Sequence, residues 1–340
     1  MEFCLLDASL SVVARLKHIT YARITRRFFA AGEITVKTAE AIAPVESARY
    51  IFEAESGVCA VIEKYSCSAS GGCVLSGRTA ECLFERLLVK KEGGYSGSVE
   101  NAVRLAVTSF SDTAEALPKL VIGDLSGFPE TAKVSFGWES LYEWLYVTLG
   151  RYGASWRLDL GDGDDFFTLN AVHGRDFTSR DTSMKTIVLR EEDGHLSGVR
   201  LSFDDEGRKN VLCVVGNDGR YVTVPDSVPE GIERREDVLM ARDIYPNSFE
   251  NEEDYFDALR TRGQLRLASY KESVSFSGRV VGEAFTVGWD FDLGDICEVV
   301  TKNGLTLALR VTAVSTTFEK GGRATDVHFD GDVSTAAIIE

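Results

Sequence analysis

The sequence predicts an α+β protein that is mainly β, with many short antiparallel strands and a few helices. Short apolar segments that alternate with polar residues recur near both ends of the chain, and turn residues separate them. In the middle, apolar residues spaced three and four positions apart predict amphipathic helices. Strands of this kind typically form a sandwich or a barrel. A chain of 340 residues is long enough for more than one domain.

The net charge of −16 argues against a protein that binds DNA through its phosphates. Such a surface is compatible with a passage through which DNA slides, but solubility is the simpler explanation of the charge. The sequence contains no apolar run of about 18 residues, which a membrane span needs. The N-terminus has no basic flank before its apolar residues, so no secretory signal is expected.

The cysteine pattern predicts reduced thiols in a protein that is assembled in a cytoplasm. The seven cysteines are odd in number and include no C-x-x-C pair. Cys67 and Cys73 lie among serine and glycine residues and lack the spacing of a zinc site. The other five occur in apolar runs, where cysteine usually acts as a small buried hydrophobic residue.

Residues 1–95 predict a series of strands, with a hairpin at Ser56-Gly57. The last of these strands leads into Gly77-Arg78 and a short helix that carries Leu83, Leu87 and Leu88 on one side. The simplest interpretation of Arg78 is a surface residue at the start of that helix.

Residues 96–185 predict helices and then a hairpin. Ser98 is expected to cap a helix from Val99 to about Phe110. Ser135 is expected to cap a second helix that runs to Gly150. Strands at 154–160 and 166–172 follow, joined by an acidic turn.

The residue pattern of 186–340 again predicts strands, with a helix inserted at about 247–271. A capping box of Asn247 and Glu250 would start this helix, and Gly263 would interrupt it at a cost of ~1 kcal/mol. Near the end, a strand at 296–300 and a return strand from Leu305 flank Asn303-Gly304, which is a strong hairpin signal.

Few residues suggest chemistry. The acidic turn could hold Ca²⁺ through carboxylate oxygens, but the glutamate that closes an EF-hand loop is missing, and a plain hairpin turn is favoured. Its acidic residues are Asp159, Asp162, Asp164 and Asp165. His173 and Asp176 are the only suggestive catalytic pair, with no nucleophile nearby in sequence. No motif of a zinc site, a P-loop or a serine hydrolase occurs. We therefore expect no enzymatic activity and no cofactor.

Three short motifs, in this order, resemble motifs of phage tail-hub proteins. They are Gly77-Arg78 before a short helix, Gly174-Arg175-Asp176 after a strand, and Leu293-Gly294-Asp295 before the final hairpin. The family meant here is that of the siphophage Gp37-like tail proteins, which are related to the baseplate hub of contractile tails. The resemblance implies interface or structural roles for these eight residues.

The resemblance also implies two small antiparallel β-barrels, at residues 1–95 and 186–340, with the helix and α/β insertion at 96–185 between them. Three chains would form a ring in which six barrels imitate six-fold symmetry. The ring would join the tail tube or distal tail protein to a three-fold central spike or fibre. The tape measure protein would be a further partner, and DNA would only pass through the lumen. The protein would reside in the virion, at the tail tip or baseplate, after assembly in the host cytoplasm.

Two other functions remain open on the residues alone. One is a free-standing all-β module that binds glycans or a receptor through exposed aromatic side chains. The other is a hydrolase with an unrecognised site, whose activity would be lost on His173→Ala.

Overall fold

The computed structural model describes residues 2–39, 45–68, 71–161, 163–181, 183–242, 244–249, 251–267, 270, 273–281, 284–302, 304–320 and 322–332. The protein is mainly β with few helices, which confirms the predicted fold class. Contacts divide the chain into two compact units. The first comprises Met1–Arg200 and Ser277–Phe329, and the second comprises Leu201–Phe276 with Asp330 and the residues after it.

The first part of the chain forms seven strands of one large sheet. Alternation of side chains builds its core: in the fourth strand Ile34 and Val36 are buried, whereas Glu33 and Lys37 are exposed. The strands are β1 Phe3–Leu6, β2 Val12–Arg15, β3 Ile19–Arg27, β4 Glu33–Thr38, β5 Tyr50–Glu53, β6 Val58–Cys67 and β7 Cys73–Thr79. Their order in the sheet is β3-β4-β7-β6-β5-β1-β2, and every neighbouring pair is antiparallel.

Cys67 and Cys73 form a disulfide bond. They lie directly opposite each other in the register of β6 and β7, which brings two positions six residues apart into contact across the hairpin. The prediction of reduced thiols is therefore wrong for this pair. The other five cysteines are not part of a disulfide bond among the described residues.

The middle of the chain forms helices and three small sheets. Its elements are β8 Leu88–Val89, β9 Gly93–Ser98, α1 Val99–Thr108, α2 Thr113–Ala116, β10 Leu120–Ile122, β11 Thr131–Phe136, β12 Glu139–Ser140, α3 Leu141–Gly150, β13 Ala154–Asp159 and β14 Phe167–His173. β13 and β14 are the predicted hairpin, and β10 pairs in parallel with β14. The Ser98 side chain accepts a hydrogen bond from the Asn101 N–H, which confirms this residue as the cap of α1.

Two predicted helices in this region differ from the structure. The second one begins at Leu141, with Ser140 as its cap, because Ser135 belongs to β11, which pairs with β9. The segment after Arg78 is a 3₁₀ helix, Ala80–Arg86. Leu83 is buried there, but Leu88 lies beyond the helix in β8, which pairs with β12 and leaves this side chain exposed.

The last part of the chain adds the remaining elements. These are β15 Val188–Arg190, β16 Leu196–Asp204, β17 Val211–Gly216, β18 Tyr221–Val224, β19 Glu236–Ala241, α4 Glu252–Leu267, β20 Ser273–Val280, β21 Ile296–Val300, β22 Thr306–Glu319 and β23 Gly322–Asp332. β21 and β22 are the predicted final hairpin. Asn303 lies outside the described residues, and Gly304 has the positive φ that the turn needs.

The large sheet joins both ends of the chain. β22 pairs with β3, and the order continues through β23 and β20 to β16, while β21 links β15 to β22. The pairings of the described strands trace an open path. Closure into two barrels and the predicted domain boundaries at 95 and 185 therefore stay predictions.

The second unit contains a three-stranded sheet with α4 on one face. β17 lies in the centre, antiparallel to β18 and parallel to β19. The α4 N-terminus is capped by Asn251, whose side chain accepts a hydrogen bond from the Asp254 N–H. The predicted cap, Asn247, is wrong because this residue belongs to a 3₁₀ turn, Pro246–Ser248. Glu250 lies outside the described residues.

Gly263 does not interrupt α4. A Cβ atom there would lie 2.6 Å from Val214 Cγ2 and 2.8 Å from Val224 Cγ2. Both valines are buried. The glycine therefore lets the helix approach the sheet closely.

We expect Gly263→Ala to destabilise the protein, although alanine is the better helix former by ~1 kcal/mol. The added methyl group overpacks against two stiff, buried valines, at a typical cost of 1–3 kcal/mol. Urea unfolding of the variant measures the net change in the free energy of unfolding that these two opposing effects produce. Thr261→Ala at an exposed position of α4 is the control, and a Gly263→Ala variant as stable as that control would contradict the close approach.

Glu81 carries an enclosed carboxyl group in the first unit. Its Oε1 atom accepts a hydrogen bond from the Leu158 N–H, and its Oε2 atom is fully buried. Burial raises the pKa of Glu81 above its ordinary value of 4.5. Folding therefore shifts this carboxyl group towards its neutral form at a given pH.

We expect Glu81→Gln to gain stability relative to the wild type as the pH rises. A raised pKa stabilises the fold fully below pH 4.5, and this contribution is lost as the pH passes the folded-state pKa. Chemical unfolding of both proteins between about pH 4 and pH 8 checks this prediction. Glu92→Gln, at an exposed position, is the control. If the free energies of unfolding of Glu81→Gln and wild type changed with pH in parallel, the predicted loss of stability from ionised Glu81 would be ruled out.

Candidate functional site

The second and third sequence motifs meet in the first unit. Gly174-Arg175-Asp176 directly follows β14, and Leu293-Gly294-Asp295 directly precedes β21. The Ile296 N–H donates to the Arg175 carbonyl oxygen over 2.8 Å, and the Phe177 N–H donates to the Ile296 carbonyl oxygen over 2.8 Å. The segment after β14 therefore runs parallel to the start of β21.

The Asp295 carboxylate is the centre of this junction. It is 4 % exposed and accepts four hydrogen bonds. Arg175 donates three of them, from its backbone N–H at 2.8 Å, Nη2 at 2.7 Å and Nε at 3.3 Å. The Asp292 N–H donates the fourth, at 2.8 Å. A buried carboxylate with this many donors is well compensated for its loss of hydration.

Two glycines allow the motifs to come this close. A Cβ atom on Gly174 would lie 1.7 Å from the Gly294 carbonyl oxygen. Gly294 has a φ of +96°, and a Cβ atom there would lie 2.3 Å from the Phe28 ring. The Gly294 carbonyl oxygen accepts a hydrogen bond from Arg310 Nη1 at 2.6 Å. A side chain at either glycine would therefore push apart the segments that pack together around Asp295.

A second ion pair connects the junction to the first strands of the chain. Arg26 on β3 binds the Asp292 carboxylate through two hydrogen bonds, of 2.7 and 3.1 Å. Burial by itself would raise the pKa of Asp292, but the hydrogen bonds and charge of Arg26 outweigh it and hold the pKa below 3.8. The junction thus links β3, the end of β14 and the start of β21.

The first motif lies at a different place in the same unit. Arg78, on β7, contacts the Glu63 and Glu85 carboxylates at 2.7 and 2.6 Å. These hydrogen bonds raise the pKa of Arg78. The motif fixes the start of the 3₁₀ helix and does not take part in the Asp295 junction.

Two of the described carboxylates in the acidic turn bind nearby side chains. Asp159 accepts hydrogen bonds from Arg157 and Asn170, and Asp165 pairs with Lys119. Asp162 lies outside the described residues. Among the residues that the structure describes, no group of three or more potential metal ligands occurs. The calcium hypothesis stays untested for the complete turn.

His173 does not contact Asp176 in the way a catalytic pair would. His173 Nε2 lies 3.0 Å from Glu130 Oε1, and its ring packs near Phe128. The Asp176 carboxylate instead accepts a hydrogen bond from the Thr178 N–H.

Sequence reasoning missed Arg26, Asp292 and Arg310. Asp292 directly precedes the third motif but belongs to none of the three motifs. Arg26 and Arg310 lie in strands, where a charged residue normally indicates the solvent side, so no sequence signal distinguished them.

Comparison with known proteins identifies the family. Residues 2–329 match the family model described as "Siphovirus ReqiPepy6 Gp37-like protein". The chain therefore belongs to this phage tail protein family, which confirms the resemblance seen in the sequence motifs. No curated protein matches the sequence. In the part of the chain that the structure describes, no helix is long and apolar enough to cross a membrane.

Solved structures of tail proteins have a similar fold. The 43 kDa tail protein of prophage MuSo2 from Shewanella oneidensis is 14 % identical, with a TM-score of 0.61, and 97 % of this chain aligns with 98 % of that one. Prophage tail protein gp18 from Listeria monocytogenes is 12 % identical, with a TM-score of 0.57 and coverage of 100 % and 96 %. The tail protein from Neisseria meningitidis is 12 % identical, with a TM-score of 0.55 and coverage of 98 % and 97 %.

We expect Asp295→Asn to destabilise the protein by about 1.5–3 kcal/mol, the usual range for hydrogen bonds to a charged group. The variant removes the negative charge that Arg175 binds. It also replaces one carboxylate oxygen, which accepts hydrogen bonds, by an NH₂ group that cannot accept them from Arg175 or Asp292. Urea unfolding measures the loss. Arg78→Gln, which breaks the two ion pairs with Glu63 and Glu85, is the comparison and should cost less, because an exposed ion pair contributes no more than ~1 kcal/mol. Equal losses for the two variants would contradict a central role of Asp295.

Proposed function

We propose that this protein is a structural tail-hub, or baseplate-hub, protein of a phage tail or a phage-like injection particle. Three chains form a ring that adapts the six-fold tail tube or distal tail ring to a three-fold central spike or fibre. The ring repeats one barrel twice in each chain, so that six barrels face the six-fold partner. The tape measure protein is a further neighbour, and DNA passes through the lumen.

The observation that carries this proposal is the family match over residues 2–329. The mutual coverage with the Shewanella tail protein supports it, because 97 % of this chain and 98 % of that one align. The likeness therefore extends over both chains and is not confined to one shared domain.

The contacts of the motif residues support a structural, non-enzymatic role. Arg175 and Asp295 bind each other, and Arg78 binds two glutamates. These side chains hold loops and strands in place. β3, near the N-terminus, pairs with β22, near the C-terminus, so that both ends of the chain share one sheet. This shared sheet supports the proposal that both ends of the chain together build the ring.

We expect the purified chain to form trimers. Light scattering or native mass spectrometry over a concentration series should give about three times the monomer mass of 37.3 kDa, and electron microscopy should show rings. A chain that remains a monomer at every concentration would contradict the ring. Co-purification with the distal tail protein and with the spike or fibre protein tests the two neighbours separately.

A further inference from the structure

The sheet of the second unit has one face that α4 does not cover. Side chains of Leu212, Val214, Val224 and Ala241 are buried towards α4. The register places the alternate residues on the opposite face. We call this set the sheet face; it consists of Cys213, Val215, Tyr221, Thr223, Val238 and Met240. Tyr221, Val238 and Met240 are each at least half exposed.

The first unit carries a second exposed apolar surface, along α3. Every residue from Leu141 to Leu149 is buried or half-buried except Glu143 and Val147, which lie four positions apart on one side of the helix. Leu88 pairs with Ser140 at the start of α3, and the Phe29 ring lies 3.8 Å from the Cβ position of Gly150 at its end. We call this set the α3 stripe; it consists of Phe29, Leu88, Glu143 and Val147, all exposed.

We propose that the sheet face of one copy of this chain packs against the α3 stripe of the next copy. This inference rests on the proposed trimer and assigns its contact surfaces. A closed ring of three requires a head-to-tail contact between two different surfaces of each chain. Face-to-face pairing of a single patch would stop at a dimer.

Charge favours a second copy as the occupant of both surfaces. Each chain carries a net charge of −16, so two copies repel each other unless they meet where charge is absent or complementary. The six residues of the sheet face are uncharged, and the acidic Glu236, which the register puts on the same side of β19, lies at the end opposite Arg242 and pairs with Arg234. The only charged member of the α3 stripe is acidic, Glu143, and Glu139 lies close enough to feel its charge. Arg242, directly after β19, is exposed at one end of the sheet face and can meet these carboxylates.

The two surfaces also match in length. α3 has ten residues, or about 15 Å of helix. β19 has six residues, or about 20 Å of strand. The exposed side of α3, which carries Glu143 and Val147, can therefore lie along the sheet face over nearly its whole length.

Glutamate substitutions test the contact on the full chain. We expect Met240→Glu on the sheet face and Val147→Glu on the α3 stripe each to weaken trimer formation at least ~30-fold, as for a hot-spot residue. Ile232→Glu and Leu125→Glu introduce the same charge at exposed apolar positions that belong to neither surface, and these variants should remain trimers. Far-UV circular dichroism spectra like that of the wild type would confirm that all four variants are folded.

A charge exchange adds a readout that a folding defect cannot imitate. Glu143→Arg and Arg242→Glu should each weaken the trimer, and the double variant should recover most of the association. Trimers that tolerate Met240→Glu and Val147→Glu would overturn the assigned surfaces and leave the trimeric hub intact. A wild-type chain that stays monomeric would instead overturn the trimer itself, and with it this contact.

Discussion

The buried carboxylate of Asp295 is the interaction on which the rest of the first unit depends. Removing a carboxylate from water costs several kcal/mol, and four N–H donors offset that cost here. Arg175 supplies three of them from a position 120 residues earlier in the chain. Satisfying Asp295 therefore requires that the segment after β14 and the segment before β21 meet in one arrangement.

The contact between Arg175 and Asp295 explains how the chain returns to the large sheet after the helices and small sheets of its middle part. The polypeptide leaves the large sheet after β7, builds α1, α3 and the β13–β14 hairpin, and must then return to the same sheet. Arg175 and Asp295 fix the point of return. Arg26 and Asp292 fix the same loop to β3, so the middle part ends against strands from both ends of the chain.

The fold tolerates large changes of sequence. Tail proteins that are 12–14 % identical to this chain share its fold over nearly their whole length. Most of the sheet needs only alternating apolar and polar residues, which many sequences provide. In the proposed trimer, assembly would then depend on surface residues such as those of the sheet face and the α3 stripe, which the fold does not dictate.

The sequence by itself determined the local elements and the family. Alternation and turn residues predicted the β13–β14 and β21–β22 hairpins, and Ser98 marked the start of α1, because these features depend on near neighbours in the chain. Only the tertiary structure decided that Ser140 and Asn251 cap α3 and α4, that Gly263 is a packing contact, and that Cys67 pairs with Cys73. Arg175 and Asp295 were both found as motif residues, but their contact was not, since a hydrogen bond across 120 residues leaves no local pattern.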